Sequence, residues 1–284
     1  MSTNVLAGID GSKHTACVSE YAAWAAQQLS ASLVLLNVMH KPEPTLLYNM
    51  SAAASLSAQD KIHAELADLD KKRAELAKAQ SQVILEQASQ HVQQAGYPAP
   101  RTISREGRLT EVLEQYDDYA DLVVLGRRGN NEDDSPGRLG GHVEHVIRTT
   151  DKPLLLTDGE FKAPERVMIA FDGSETTRKC VEYIARSPLF KGLECHVVMV
   201  AGPNEEKQAQ LEAARQLLED NGHQATAALL QGEVKKNLLA YQDRQNMDMM
   251  VMGAYGHSRI RLWLLGSITN LMLQESHKPM LILR

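Results

Sequence analysis

The chain repeats itself once, in the same order. "VLAGIDGS" (Val5–Ser12) returns as "VMIAFDGS" (Val167–Ser174), "DLVVLGRRG" (Asp121–Gly129) as "DMMVMGAYG" (Asp248–Gly256), and "DKPLLL" (Asp151–Leu156) as "HKPMLI" (His277–Ile282). Three ordered, widely spaced matches make the repeating unit a whole domain rather than a short solenoid module. At 284 residues the chain gives each copy enough length to enclose a core. The polar stretch "TDGEFKAPER" (Thr157–Arg166) carries Gly and Pro and reads as the connection, which sets the domains at 1–157 and 165–284.

Within each copy, short apolar runs alternate with helical patterns. In the first, Val5–Ile9, Leu33–Val38, Arg101–Ser104, Asp121–Gly126 and Pro153–Leu156 predict strands, and Cys17, Tyr21, Trp24, Ala25 and Leu29 share one face of a helix. The second copy predicts strands at Val167–Phe171, Cys195–Val200, Ala225–Leu230, Met249–Met252 and Met280–Leu283. Near-continuous apolar strands alternating with helices predict an α/β chain of two tandem, doubly wound, Rossmann-like parallel sheets with helices on both faces. Ligands of such sheets sit beyond the carboxyl ends of the strands, where strand order reverses. Asp172 follows the first strand of the second copy and Gly253 ends the fourth. If those strands are neighbours, both residues lie at one crevice.

The second copy continues as "MGAYGHSRIRLWLLGSITN" (Met252–Asn270). Gly253 and Gly256 allow a backbone to approach a ligand closely. Gly266 and Ser267 predict a helix start with Ser267 as cap, and a helix N-terminus with free N–H groups is an anion site. Each glycine alone reads more readily as a simple turn residue. It is the combination with an Asp after strand one, in a nucleotide-type sheet, that favours a site.

The spacing Gly253-x2-Gly256-x9-Gly266-Ser267, with "FDGS" at the first strand end and "HKPMLIL" at the last, resembles the ATP-binding universal stress protein family. The resemblance covers both copies. It implies five-stranded sheets of order 3-2-1-4-5, of the adenine nucleotide alpha hydrolase-like type. It also implies that Asp172 meets the adenine, that the Val200 backbone contacts the base, and that Gly253, Gly256, Gly266 and Ser267 hold ribose and phosphates. Met252, Ser258, Ile268 and Thr269 occupy neighbouring positions of the motif. The family pairs through its closing strands, so Leu154–Thr157 and Met280–Leu283 imply a pseudo-dimer within one chain.

The first copy departs from this pattern. Asp10, Val38, Gly126, Gly129 and Gly140 are retained as a degenerate site, but ten residues separate Gly129 from Gly140. Gly141 stands where the motif has its serine, and Glu132, Asp133 and Asp134 lie where phosphates need donors. ATP is expected in the second copy, and weakly or not at all in the first, where Arg127 and Arg128 are left to meet a smaller anion.

The other features narrow the function. A net charge of −6 offers no basic face for nucleic acid. Cys17, Cys180 and Cys195 have neither paired nor metal-type spacing and read as buried thiols of a reducing compartment. The sequence predicts no signal peptide and no membrane insertion, hence a cytoplasmic location. No histidine grouping has metal-ligand spacing, and His142 and His145 read as a surface pair. No catalytic constellation follows from spacing, and no metal residue is assigned. Ile62, Leu69, Leu76 and Val83 recur every seven residues in a helix-forming segment, Ala58–Gln94. Such a row suits either a coiled-coil surface, which would allow a homodimer, or a stripe that covers the sheet. Arg73, Gln80 and Gln87 in the companion row favour the second.

By resemblance, then, the chain is a stress-response protein that binds ATP, with magnesium on the phosphates, and acts as a regulatory or protective factor. Nothing supplies a general base for the γ-phosphate, so no dedicated catalysis is implied beyond slow hydrolysis by bound water. The alternatives are an adenine-nucleotide hydrolase and a nucleotide-free adaptor. The hydrolases carry a Ser-Gly-Gly-x-Asp-Ser loop, whose paired glycines "FDGSET" and "IDGSKH" lack.

Overall fold

The computed structural model describes residues 3–39, 56–129, 141–254 and 267–284, without the side chains of 56–63. The first copy runs β1 (Asn4–Gly8), α1 (Thr15–Gln28), β2 (Ser32–Met39), α2 (Leu56–Gln94), β3 (Arg101–Glu106), α3 (Leu109–Glu114), β4 (Leu122–Gly126), α4 (Gly141–Thr149) and β5 (Leu154–Thr157). The second runs β6 (Arg166–Ala170), α5 (Glu175–Arg186), β7 (Glu194–Val200), α6 (Glu205–Asp220), β8 (Gln224–Leu230), α7 (Val234–Arg244), β9 (Met249–Gly253), α8 (Ser267–Glu275) and β10 (Met280–Leu283).

All ten strands join one sheet in the order β3-β2-β1-β4-β5-β10-β9-β6-β7-β8. Each half therefore has the order 3-2-1-4-5, and every pair within a half is parallel. The halves meet where β5 and β10 run antiparallel, with Leu156 opposite Met280, Leu155 opposite Leu281 and Leu154 opposite Ile282. All six side chains are at most 3% exposed. The seam is thus core, each residue worth about 1.5–3 kcal/mol of apolar burial.

The period of two along each strand sorts the core into two layers. Val5, Ala7, Val167, Ile169, Leu155 and Leu281 face α1, α2, α5 and α6; Leu6, Met168, Leu154, Leu156, Met280 and Ile282 face α3, α4, α7 and α8. Both layers run through the seam, so the two copies share one continuous core.

The Asp that opens the repeated "DLVVLG" and "DMMVMG" pins the fourth strand of each half to the first. Asp121 Oδ2 accepts the Asn4 N–H at 2.8 Å, and Asp248 Oδ2 accepts the N–H groups of Glu165 and Arg166 at 3.0 Å. Asp248 also takes Lys162 of the interdomain segment, whose neighbour Phe161 packs edge-on against Tyr21 of α1 at 4.8 Å. Burial pushes the Asp248 carboxyl up, but the Lys162 ammonium and the two backbone donors outweigh it and hold the group below the usual carboxylate range. The stability it supplies is therefore present above its unfolded value of about 3.9 and lost as pH falls through the depressed folded value. Asp248→Asn is expected to cost about 1.5–3 kcal/mol in urea unfolding at pH 7, and less at pH 3. An equal loss at both pH values would show that the charge is not its source.

The heptad row of α2 does not cover the sheet. Leu69, Leu76 and Val83 are 50%, 70% and 53% exposed, while Ser81, Leu85, Ala88 and Val92 are buried on the other flank. At about 100° per residue, Val83 and Leu85 lie on opposite sides of the helix. The buried set, spaced four, three and four, is the stripe a globular helix needs. The side chain of Ile62 lies outside the described residues.

All three cysteines are buried. Burial pushes the Cys17 thiol up to about 11 and those of Cys180 and Cys195 to about 12. At pH 8 only about one such thiol in a thousand, or fewer, is thiolate, the reactive form. A disulfide thiol reagent should therefore label all three in urea and none at comparable speed in the native protein. A native thiol reacting at the unfolded rate would contradict this.

Candidate functional site

In the second copy β6 lies between β7 and β9, and strand order reverses there. Asp172, just past β6, and Gly253, at the end of β9, consequently stand at one crevice. Asp172 Oδ1 accepts the Ser174 N–H at 2.8 Å and the Thr177 hydroxyl at 2.9 Å. Ser174 caps α5 by accepting the Thr177 N–H, and Arg178 donates to Gly173 O. The carboxylate is thus fixed by the first turn of α5. Gly253 is required by close approach: a Cβ there would stand 2.7 Å from Thr176 Cγ2 on the same turn.

From the other side, Thr269 in the first turn of α8 donates its hydroxyl to Gly253 O at 3.0 Å. Ser267 is the first described residue of α8. Val200 ends β7, next to β6, and both Val200 and Ile268 pack against the α7–α8 layer of the core. Met252 is 5% exposed and belongs to that same layer. Gly256, Ser258 and Gly266 lie outside the described residues.

The first copy has a solvent-open cavity of about 450 Å³ at the matching place. Asp10, Asn37, Val38, Gly126 and Gly129 line it from the strand ends. Asp10 Oδ1 accepts the Ser12 N–H at 3.0 Å, and a Cβ on Gly129 would stand 3.1 Å from Asp10 Oδ2. The start of α1 differs from that of α5. Among the described residues His14 provides no side-chain cap, and the hydroxyl of Thr15, the counterpart of Thr177, has no partner. Gly140 and the acidic residues Glu132, Asp133 and Asp134 lie outside the described residues.

Sequence reasoning missed one wall of this cavity. Ala77, Gln80, Ser81 and Ile84 of α2 line it, and Ser81 bonds Ser104 of β3 at 2.8 Å. The polar interruption at Gln80 was the available signal; it reads as a flaw in a heptad only while the cavity is unknown. His142 also lines the cavity, so it is more than half of a surface pair. The expectation that Arg127 meets an anion is overturned, because its side chain is buried in contacts with the second copy. Arg128 does line the cavity, 3.9 Å from Asp158. Among the described residues no group of three or more His, Cys, Asp or Glu could hold a metal, and no helix is long and apolar enough to cross a membrane.

The profile of the universal stress protein family matches residues 1–158 and again 164–284. The chain is 32% identical to Universal stress protein Slr1230 of Synechocystis sp. over 99% of both sequences. A universal stress protein from Archaeoglobus fulgidus superposes on 100% of this chain and 99% of its own, with a TM-score of 0.72 at 19% identity. Another from the same organism, described in complex with dAMP, matches 43% of this chain and 100% of its own, with a TM-score of 0.35 at 18% identity.

Proposed function

We propose, from the premise that this chain belongs to the universal stress protein family, that its second copy binds ATP in the crevice between β6 and β9. The chain would then serve as a cytoplasmic regulatory or protective factor. One observation carries the reading: Asp172, Gly253 and the first turn of α8 converge at the switch point, in the copy whose glycine motif is intact.

The chemistry follows from what each group offers. The Asp172 carboxylate, oriented by Ser174 and Thr177, accepts an N–H of the base. The first-turn N–H groups of α8 and its positive dipole end favour phosphate oxygens. Gly253 and Gly256 let backbone approach the ribose. Magnesium would accompany the phosphates in solution, since the described residues form no cage for it. The paired glycines of the hydrolase loop are missing from "FDGSET", and this favours binding over an adenine-nucleotide hydrolase. Mass spectrometry of the purified, gently denatured protein is the test. Retained ATP supports the reading, AMP formed from added ATP supports the hydrolase, and the absence of any nucleotide after incubation supports the adaptor.

The cavity of the first copy favours a second, weaker reading in which that half also takes a ligand. Calorimetric titration with ATP is expected to give one strong site per chain. Two equal sites would overturn the assignment of ATP to the second copy alone.

A further inference from the structure

Arg127 follows β4 in the first copy, at the position that holds Ala254 in the second. The two backbones do the same thing: Arg127 N–H donates to Thr157 O at 2.9 Å, and Ala254 N–H to Leu283 O at 2.7 Å. Only the side chains differ. The guanidinium of Arg127, 2% exposed, crosses the β5–β10 seam into the second copy. Its Nη1 donates to Leu273 O at 3.3 Å and to Ser276 O, and its Nη2 donates to Lys278 O.

Those carbonyls belong to the last turn of α8 and the turn after it. A helix C-terminus presents unpaired carbonyls and a negative dipole end, and a cation there is stabilising. α4 supplies its own cation, Arg148, in its last turn, whereas α8 has no basic residue there and ends in Glu275. The missing charge therefore comes from the other copy. Burial lowers the Arg127 guanidinium to about 10, which leaves it charged at neutral pH. A second arginine acts in reverse: Arg284 of the second copy reaches Thr150 O at 3.4 Å and Asp151 at 2.9 Å, at the end of α4.

The opposite end of α8 carries Ser267, Ile268 and Thr269, with Thr269 bonded to Gly253 O across the crevice. A nine-residue helix is a stiff rod of about 13 Å, so fixing its end constrains its beginning. We infer that Arg127 is a positioning residue for the nucleotide site of the second copy. Arg127, just past the fourth strand of the first copy, clamps the helix that would serve phosphates in the other half. The inference rests on the ATP reading above.

The test uses the full-length protein as wild type, Arg127→Met and Arg127→Lys, titrated calorimetrically with ATP and with adenosine. Adenosine occupies the Asp172 side of the crevice but has no phosphates for α8. Arg127→Met is expected to weaken ATP by about tenfold and to leave adenosine within about twofold. Arg127→Lys keeps the charge but not the fork that spans three carbonyls, so it should restore ATP affinity in part. Amide hydrogen exchange without nucleotide should quicken in the variants from the last turn of α8 through to Thr269. If Arg127→Met does not fold, Arg127→Lys carries both measurements.

Equal losses for ATP and adenosine, unchanged ATP affinity in a folded variant, or faster exchange confined to the last turn would each overturn the inference and leave the ATP site standing. A wild type that binds neither ligand would end the ATP reading and this inference together.

Discussion

Gly253→Val is expected to abolish ATP binding, whereas Gly126→Val, beside Arg127, is expected to weaken it by no more than the roughly tenfold of Arg127→Met. The two glycines are equivalent by the repeat, each ending the fourth strand of its copy. Both are crowded. A Cβ at Gly253 would stand 2.7 Å from Thr176 Cγ2, and one at Gly126 would stand 3.2 Å from Arg128 O and 3.4 Å from Val18 Cγ2. Either valine should therefore cost about 1–3 kcal/mol through overpacking. The consequences for ATP differ. At Gly253 the displaced turn is the one that orients Asp172 through Thr177, and the displaced carbonyl is the one that holds Thr269. At Gly126 the crowded groups, Val18 and Arg128, line the cavity of the first copy, and the neighbouring Arg127 reaches only the far end of α8, not the crevice. Calorimetry with ATP reads the difference, and urea unfolding reports whether both variants fold. ATP binding that survives Gly253→Val and disappears with Gly126→Val would move the nucleotide to the first copy, where the described cavity lies.

The isolated second copy, residues 163–284, is expected to form a dimer of about twice its own mass. In the whole chain β10 has a neighbour on each side, β9 in parallel and β5 antiparallel. Removing the first copy strips one side of a strand whose four residues are at most 6% exposed. Such an edge offers both unpaired backbone groups and apolar side chains, and a second fragment can supply the antiparallel partner that β5 supplied. The fragment also lacks Arg127, so the C-terminal end of α8 loses its three donors even in the dimer. Sedimentation equilibrium measures the mass. A fragment that is folded and monomeric at high concentration would show that the closing strand needs no partner, and that the shared core is a consequence of tethering alone.

The sequence by itself determined the two units, their strand content and the place of the crevice. The signals are local. Near-continuous apolar runs specify buried parallel strands, and the repeat of "IDGS" and "FDGS", then of "DLVVLG" and "DMMVMG", specifies that both copies wind alike. Asp172 and Gly253 were legible as neighbours because in a doubly wound sheet chain order nearly fixes strand order. What only the tertiary structure decided are choices between partners that composition cannot rank. The α2 row Leu69, Leu76, Val83 is as apolar as the buried set, but burial went to the residues facing the sheet, which leave Gln80 and Ser81 to wall a cavity. The single core through the seam depends on Leu155 meeting Leu281, which are far apart in the chain. Arg127 and Arg128 are identical neighbours in sequence, yet one lines the cavity and the other is buried against carbonyls 146 or more residues away. A guanidinium takes whichever acceptors the packing brings within reach, and where the end of α8 comes to lie is a property of the assembled sheet.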